Sequence, residues 1–149
     1  MQIAVVDVDD PRITARLTAA GYRLRPEEWN RRETSFSEST AKRVFAPAVG
    51  ARRVNVHVRA AGGAGDRYAL LFRDYLRAVP QARDAWAVFK QDLARSVPDL
   101  YAYGWAKVPA TEALMRDATA WALVSGWPGP QATDVDSQLP STRSQPAHR

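Results

Sequence analysis

Four polar side chains, Arg53, Asn55, His57 and Arg59, alternate with Val54, Val56 and Val58. Strand side chains point to opposite faces in turn, so the spacing predicts a strand over 52–59 with one apolar and one polar face. Two guanidinium forks and an amide could hold phosphate and ribose, and a neutral imidazole could donate one hydrogen bond. The solvated side of an antiparallel strand carries the same pattern, and both readings stand at this point.

Four more residues are candidates for the same ligand chemistry. Arg73 and Asp74 are adjacent on a helical pattern, although Asp74 and Arg77 already have the i, i+3 spacing of an ordinary helical pair. Lys90 and Lys107 are the only lysines in the second half of the chain. Either could meet a phosphate as a point charge. Gly62-Gly63-Ala64-Gly65 precedes a helix but lacks the Lys-Ser/Thr of a phosphate loop. Asp7, Asp9 and Asp10 stand where a strand passes into a helix and read as loop and cap residues, not metal ligands. The tryptophans at 86, 105, 121 and 127 read as core. A single usable histidine builds no Ser-His-acid triad.

Composition narrows the classes further. The chain has 149 residues, with 21 Lys+Arg against 16 Asp+Glu, two histidines and no cysteine. The length fits one domain with an ordinary core. Thiolate metal sites and disulfide scaffolds are excluded, and so is a His-rich metal site. A net charge of +5 could favour phosphate-bearing partners. Yet no basic run exceeds two residues and aromatics do not interleave with them, so nucleic acid is not expected as a partner. No apolar run reaches membrane-spanning length. The N-terminus has no basic region of the secretory kind. A cytoplasmic protein with no membrane association is expected.

The elements that must position these residues can be read in order. Ile3–Val8 is an apolar run that reads as an interior strand buried on both faces. Asp10 caps a helix with Pro11 in its first turn, Ile13, Leu17 and Ala20 on its apolar face, and Gly21 at its end. Tyr22–Leu24 begins a second strand. Pro26–Glu38 reads as a loop anchored by Trp29, and Lys42–Ala46 as a weak strand. Asp66 is expected to cap a helix carrying Tyr68, Leu71, Phe72, Tyr75 and Leu76. Pro80 opens a second helix with Ala82, Trp86, Phe89 and Leu93. Pro98-Asp99 opens a third, which Pro109 kinks or restarts. Ala110, Ala113, Leu114, Trp121 and Val124 continue an apolar face to Gly126. Residues 128–149 are rich in Pro, Ser, Thr and Gln and read as a disordered tail.

The segment Tyr68-Ala-Leu-Leu-Phe-Arg-Asp-Tyr-Leu-Arg77 is similar to the Phe-Arg-Asp-Tyr-Leu helix of the GrpB family. The similarity continues through Trp86-Ala-Val-Phe-Lys90 and from Tyr103 to Lys107. Arg53-Val-Asn-Val-His-Val58 resembles the family's segment ending in His-x-His-Val or Asn-x-His-Val. Ala120-Trp-Ala…Ser-Gly-Trp127 resembles the ending of actinobacterial members. The resemblance covers residues 1–127, one domain. It implies an α+β, nucleotidyltransferase-like mixed sheet with flanking helices, followed by a helical segment. It also implies kinship with the domain appended to some actinobacterial dephospho-CoA kinases as a folding accessory.

In the wider nucleotidyltransferase fold, a Gly-Ser turn and a D-x-D-like strand hold nucleotide phosphates and two metal ions. Here the Gly-Ser turn and the first Asp are missing ahead of Met1, and Gln2 stands near the second carboxylate's place. An amide is a poor ligand for a hard cation. The expectation is a truncated member without catalytic activity, with no cofactor; Mg²⁺ would belong only to a complete family site. A nucleotide or CoA-related phosphate is the expected ligand. The alternatives are a docking or folding module for dephospho-CoA kinase, and an active nucleotidyltransferase with a mis-assigned start. Loss of the covering segment is expected to expose Ile3–Val8, favouring aggregation or a homodimer.

Overall fold

The computed structural model describes residues 1–51 and 54–130. Arg53, His148 and the greater part of the expected tail lie outside the described residues. The chain divides into two compact units, Met1–Asp66 and Arg67–Gly129.

The first unit is a mixed sheet with one helix. Its elements are β1 (Gln2–Val5), α1 (Pro11–Ala19), β2 (Tyr22–Leu24), a 3-10 turn (Glu28–Asn30), β3 (Arg32–Ser35), β4 (Glu38–Pro47) and β5 (Val56–Ala60). The sheet order is β1-β5-β4-β2, with β3 pairing the other end of β4. β1 runs parallel to β5, and the remaining pairs are antiparallel. Asp10 caps α1 by accepting from the Arg12 amide, and Pro11 occupies the first turn, where its missing N–H costs nothing. Gly21 follows with φ +83°, a left-handed conformation that glycine adopts without a Cβ penalty.

One sheet face is the hydrophobic core. Phe45, Val56 and Val58 have no exposed surface, and Val8, Ile3, Val5, Ile13, Leu17 and Tyr22 pack with them. The alternation of Val56 and Val58 against His57 and Arg59 is therefore present, but the strand starts at Val56 rather than at residue 52.

Three expectations change in this unit. β1 is a strand at the end of the sheet path, not an interior one, and Ala4 and Val6 are exposed. Its apolar run is covered on one side only, by Ile3 and Val5 on the core. Pro26–Glu38 is not a loop, because Arg32–Ser35 pairs with Glu38–Ala41 as a hairpin. Trp29 is 65% exposed, so it is not a buried anchor of this segment. The weak strand at 42–46 is in fact the ten-residue β4.

The second unit is helical: α2 (Ala64–Ala78, whose first turn belongs to the first unit), α3 (Pro80–Ser96), α4 (Leu100–Ala106) and α5 (Val108–Ser125). Its core is Leu71, Tyr75, Met115 and Ala118, ringed by Phe72, Leu76, Leu114, Trp121 and Trp127. Pro109 restarts the chain as α5 rather than kinking one helix, because the first turn needs no donor there. The apolar face of α5 runs through Leu114, Met115, Ala118 and Trp121; Val124 is 91% exposed. Trp105 is likewise exposed, against the expectation of a core tryptophan. Gly126 closes α5 at φ +68°.

Candidate functional site

The polar face of β5 is where the chemistry-bearing side chains of the first unit gather. Register explains why. Arg59 pairs across to Lys42 on β4, and His57 pairs with Gln2 on β1. Glu33 lies opposite Thr40 on the β3–β4 hairpin, two residues from Lys42 along β4 and so on the same face. Asp66 joins from the first turn of α2. Asp66 is not the cap residue itself: it is the third residue of the helix and reaches back past Gly63 to accept from the Gly62 amide at 2.9 Å.

These groups bind one another. Glu33 grips Arg59 bidentately, with Arg59 Nε to Oε1 at 2.5 Å and Nη2 to Oε2 at 2.8 Å. Arg59 Nη1 donates to Gln2 Oε1 at 2.7 Å, and Gln2 Nε2 donates onward to Asp66. Lys42 Nζ lies 3.8 Å from Glu33 Oε2. Side chains of Glu33, Lys42 and Arg59 are each about 13–14% exposed, so this is a shielded group of charges. Two cations and two carboxylates balance within it.

The electrostatics follow from that packing. Burial works against the charge on Glu33, but the hydrogen bonds and charge of Arg59, aided by Lys42, hold its carboxyl below the usual range. Burial pulls Lys42 down, Glu33 opposes, and Arg59 adds to the fall. His57 is pushed down to about 4, first by burial and then by the charges of Arg59 and Lys42. At neutral pH it is an uncharged imidazole, and its buried Nδ1 has no hydrogen-bond partner. Thr40 Oγ1, on the same face, is also buried without a partner.

The closeness of Gly65 to this group is itself informative. A Cβ at Gly65 would overlap Glu33 Oε1. Gly65→Ala is expected to push the carboxylate off Arg59 and to cost about 1–3 kcal/mol, as overpacking does. Urea denaturation checks it, and an unchanged midpoint would show that the carboxylate gives way freely.

The expected site residues are dispersed. Of the four on the strand, His57 and Arg59 belong to this group, while Arg53 is outside the described residues. Asn55 is exposed ahead of β5, with its side chain 3.4 Å from Arg25 Nη1. Arg73 and Asp74 are in the helical unit, where Asp74 accepts from Arg73 Nε at 2.7 Å and from Trp127 Nε1 at 3.1 Å. Asp74 thus tethers the turn after α5, and Arg77 stands 3.9 Å from it at the ordinary helical spacing. Lys90 and Lys107 are also in the helical unit, on α3 and at the α4–α5 joint.

Glu33, Lys42 and Asp66 were not among the sequence candidates. Alternation would have found two of them, since Glu33 lies opposite Thr40 across the hairpin and Lys42 follows Thr40 by two residues on the same face of β4. Glu33 and Asp66 are the oxygen donors a hard cation would want, but each already has hydrogen-bond partners. Among the described residues, no three His, Cys, Asp or Glu side chains are placed to hold a metal ion. No helix among them is long and apolar enough to cross a membrane.

Comparison with known proteins gives three likenesses. The family model described as GrpB protein matches residues 1–117. A dephospho-CoA kinase of Mycolicibacterium paratuberculosis is 41% identical over 87 residues, which are 58% of this chain and 21% of the kinase. The chain therefore spans about a fifth of that relative's length. The crystal structure of the conserved protein GrpB from Enterococcus faecalis aligns with a TM-score of 0.58 at 19% identity, covering 78% of this chain and 66% of that one. At that identity the likeness is one of fold, and it agrees with the mixed α+β sheet and helices described above.

Proposed function

This chain belongs to the GrpB family, and from that premise we propose that it acts without catalysis, as an accessory module for an enzyme of the dephospho-CoA kinase type. The observation that carries the reading is the closure of Arg59 on Glu33 and Gln2. In a nucleotidyltransferase-like fold, this strand face would offer its arginines to phosphate and its carboxylates to Mg²⁺. Here guanidinium and carboxylate neutralise each other, and the amide of Gln2 is engaged between Arg59 and Asp66. A phosphate entering this face must displace Glu33 from a bidentate pair, so affinity for a nucleotide or CoA-related phosphate is weak. The likeness to part of a dephospho-CoA kinase supports the accessory role, because in that relative a matching segment is carried within a much longer chain.

Two assays test the reading. Refolding a dephospho-CoA kinase with this chain present is expected to raise the recovery of kinase activity above that seen with an inert protein. No increase would overturn the accessory role. Incubation with nucleoside triphosphates and Mg²⁺ is expected to transfer no nucleotidyl group to protein or small-molecule acceptors. Transfer that is lost on changing Glu33 or Asp66 would overturn the non-catalytic reading.

A further inference from the structure

β1 ends the sheet path with one strand neighbour among the described residues, β5. The Met1 carbonyl accepts from the His57 amide at 3.0 Å, and the Val5 carbonyl accepts from the Ala61 amide at 2.8 Å. Successive residues of a strand turn their N–H and C=O groups to opposite edges. Those of Met1, Ile3 and Val5 therefore face β5, and those of Gln2, Ala4 and Val6 face away. Among the described residues nothing pairs with the outward groups. Ala4 is exposed and Val6 is 84% exposed, so this edge is open to water.

An open edge is a template for another strand, and folds blunt it with charge, proline, a bulge or shortness. β2, at the other end of the path, is three residues long and carries Arg23. Residues 1–6 carry no charged side chain and no proline. β1 also keeps an unbroken register with β5 from Gln2 to Val5, with no bulge to turn the edge aside. An incoming strand meets a neutral ladder with three residues ready to bond.

We propose that a second copy of the chain docks on this edge, β1 against β1, antiparallel about a two-fold axis at Ala4. The segment around Ala4 is self-complementary. Ala4 stands opposite Ala4 and exchanges both backbone hydrogen bonds with its twin. Gln2 stands opposite Val6 on each side of the axis, again with outward groups facing. An axis at Ile3 or Val5 would leave one of the three outward residues unpaired. Ile3 stands opposite Val5, and both already pack on the core, so the apolar row continues from one sheet into the other. No two charged side chains meet within residues 1–6 in this register, whereas a charged strand would have to desolvate its charges against a neutral edge. A single strand pair buries less than the roughly 1,000 Å² of a firm interface, so the dimer is weak and governed by concentration. The contact draws on the backbone of β1 and not on the charged group, so it stands or falls apart from the accessory role.

Sedimentation equilibrium on the full chain tests the edge. The parent is expected to be monomeric at about 1 μM and to form dimers reversibly as concentration approaches about 500 μM. Val6→Lys puts a charge on the edge at an exposed position, and Ala4→Pro removes an outward N–H that β5 does not use. Each is expected to raise the dissociation constant at least about tenfold, with a circular dichroism spectrum like the parent's. The chain has no cysteine, so single cysteines report the register. Ala4→Cys is expected to cross-link on mild oxidation, since facing residues of such a pair have Cα atoms about 5.5 Å apart, within disulfide reach. Val6→Cys is expected not to, because an axis at Ala4 sets the two copies of Val6 roughly 13 Å apart. A parent that stays monomeric to about 500 μM overturns the proposal, as does a dimer that survives both Val6→Lys and Ala4→Pro unchanged. Cross-linking of Val6→Cys as ready as that of Ala4→Cys overturns the antiparallel register.

Discussion

Glu33→Gln is expected to destabilise the first unit by about 3–5 kcal/mol, the range seen when one partner of a shielded ion pair is removed and the other left behind. The reason lies in what Glu33 holds. It accepts two hydrogen bonds from Arg59 and faces Lys42, and all three side chains are about 13–14% exposed. The amide of glutamine is nearly isosteric, so packing is unchanged. What changes is that two cations remain with no carboxylate between them, and one amide N–H₂ points at a guanidinium that can only donate. The pair Glu33→Met with Arg59→Met distinguishes this from a general intolerance of the site. Removing both charges together is expected to recover part of the loss, because the desolvation cost of the Arg59–Glu33 pair disappears with it while Lys42 stays behind without its acid. Urea unfolding of the parent, Glu33→Met, Arg59→Met and the double variant measures the coupling. If the double variant is as unstable as Glu33→Gln, packing and not charge is what the site requires.

How much of this could be read beforehand depended on which signals were local. The core face of β5 was legible because Val56 and Val58 alternate with polar residues. α1 was legible because Asp10, Pro11 and Gly21 are cap, first-turn and terminator in the right order. The helices of the second unit were legible from apolar spacing and from Pro80, Asp99 and Pro109. The β3–β4 hairpin was hidden because its two-residue turn is Phe36-Ser37, at φ 51° and 66°. Tight hairpin turns of this kind call for positive φ at both central residues, a demand that Asn-Gly or Asp-Gly usually announces. A phenylalanine and a serine there give no such signal.

The same gap hid half of the charged group. Read as a loop, Pro26–Glu38 gives Glu33 no face and no neighbour, and it leaves Arg59 free to bind phosphate. Once the hairpin places Glu33 beside Lys42, Arg59 has an internal partner. The edge position of β1 was hidden for a different reason: Ile3–Val8 is uniformly apolar, and periodicity cannot say which side of such a run is covered.

Acidification is expected to unfold the first unit in two steps of different origin, and the sign of each can be worked out. His57 has its folded value pushed down to about 4 from the ordinary 6.5, by burial first and then by Arg59 and Lys42. Between those two values the unfolded chain holds a proton on this imidazole and the folded chain does not. Stability therefore rises with pH across that window and falls on acidification through it. The interval corresponds to about 3 kcal/mol, all of it lost by the time pH reaches the folded value. Glu33 acts in a lower window. Its carboxyl is held below the ordinary 4.5, so its contribution is present above that value and disappears as pH falls through the lower folded one. His57→Gln separates the two. Urea midpoints measured from neutral pH down to the acid limit are expected to lose the upper window in the variant and keep the lower. A variant whose midpoints fall as steeply as the parent's between pH 6.5 and about 4 would show that His57 is as free to take a proton in the folded sheet as in the unfolded chain.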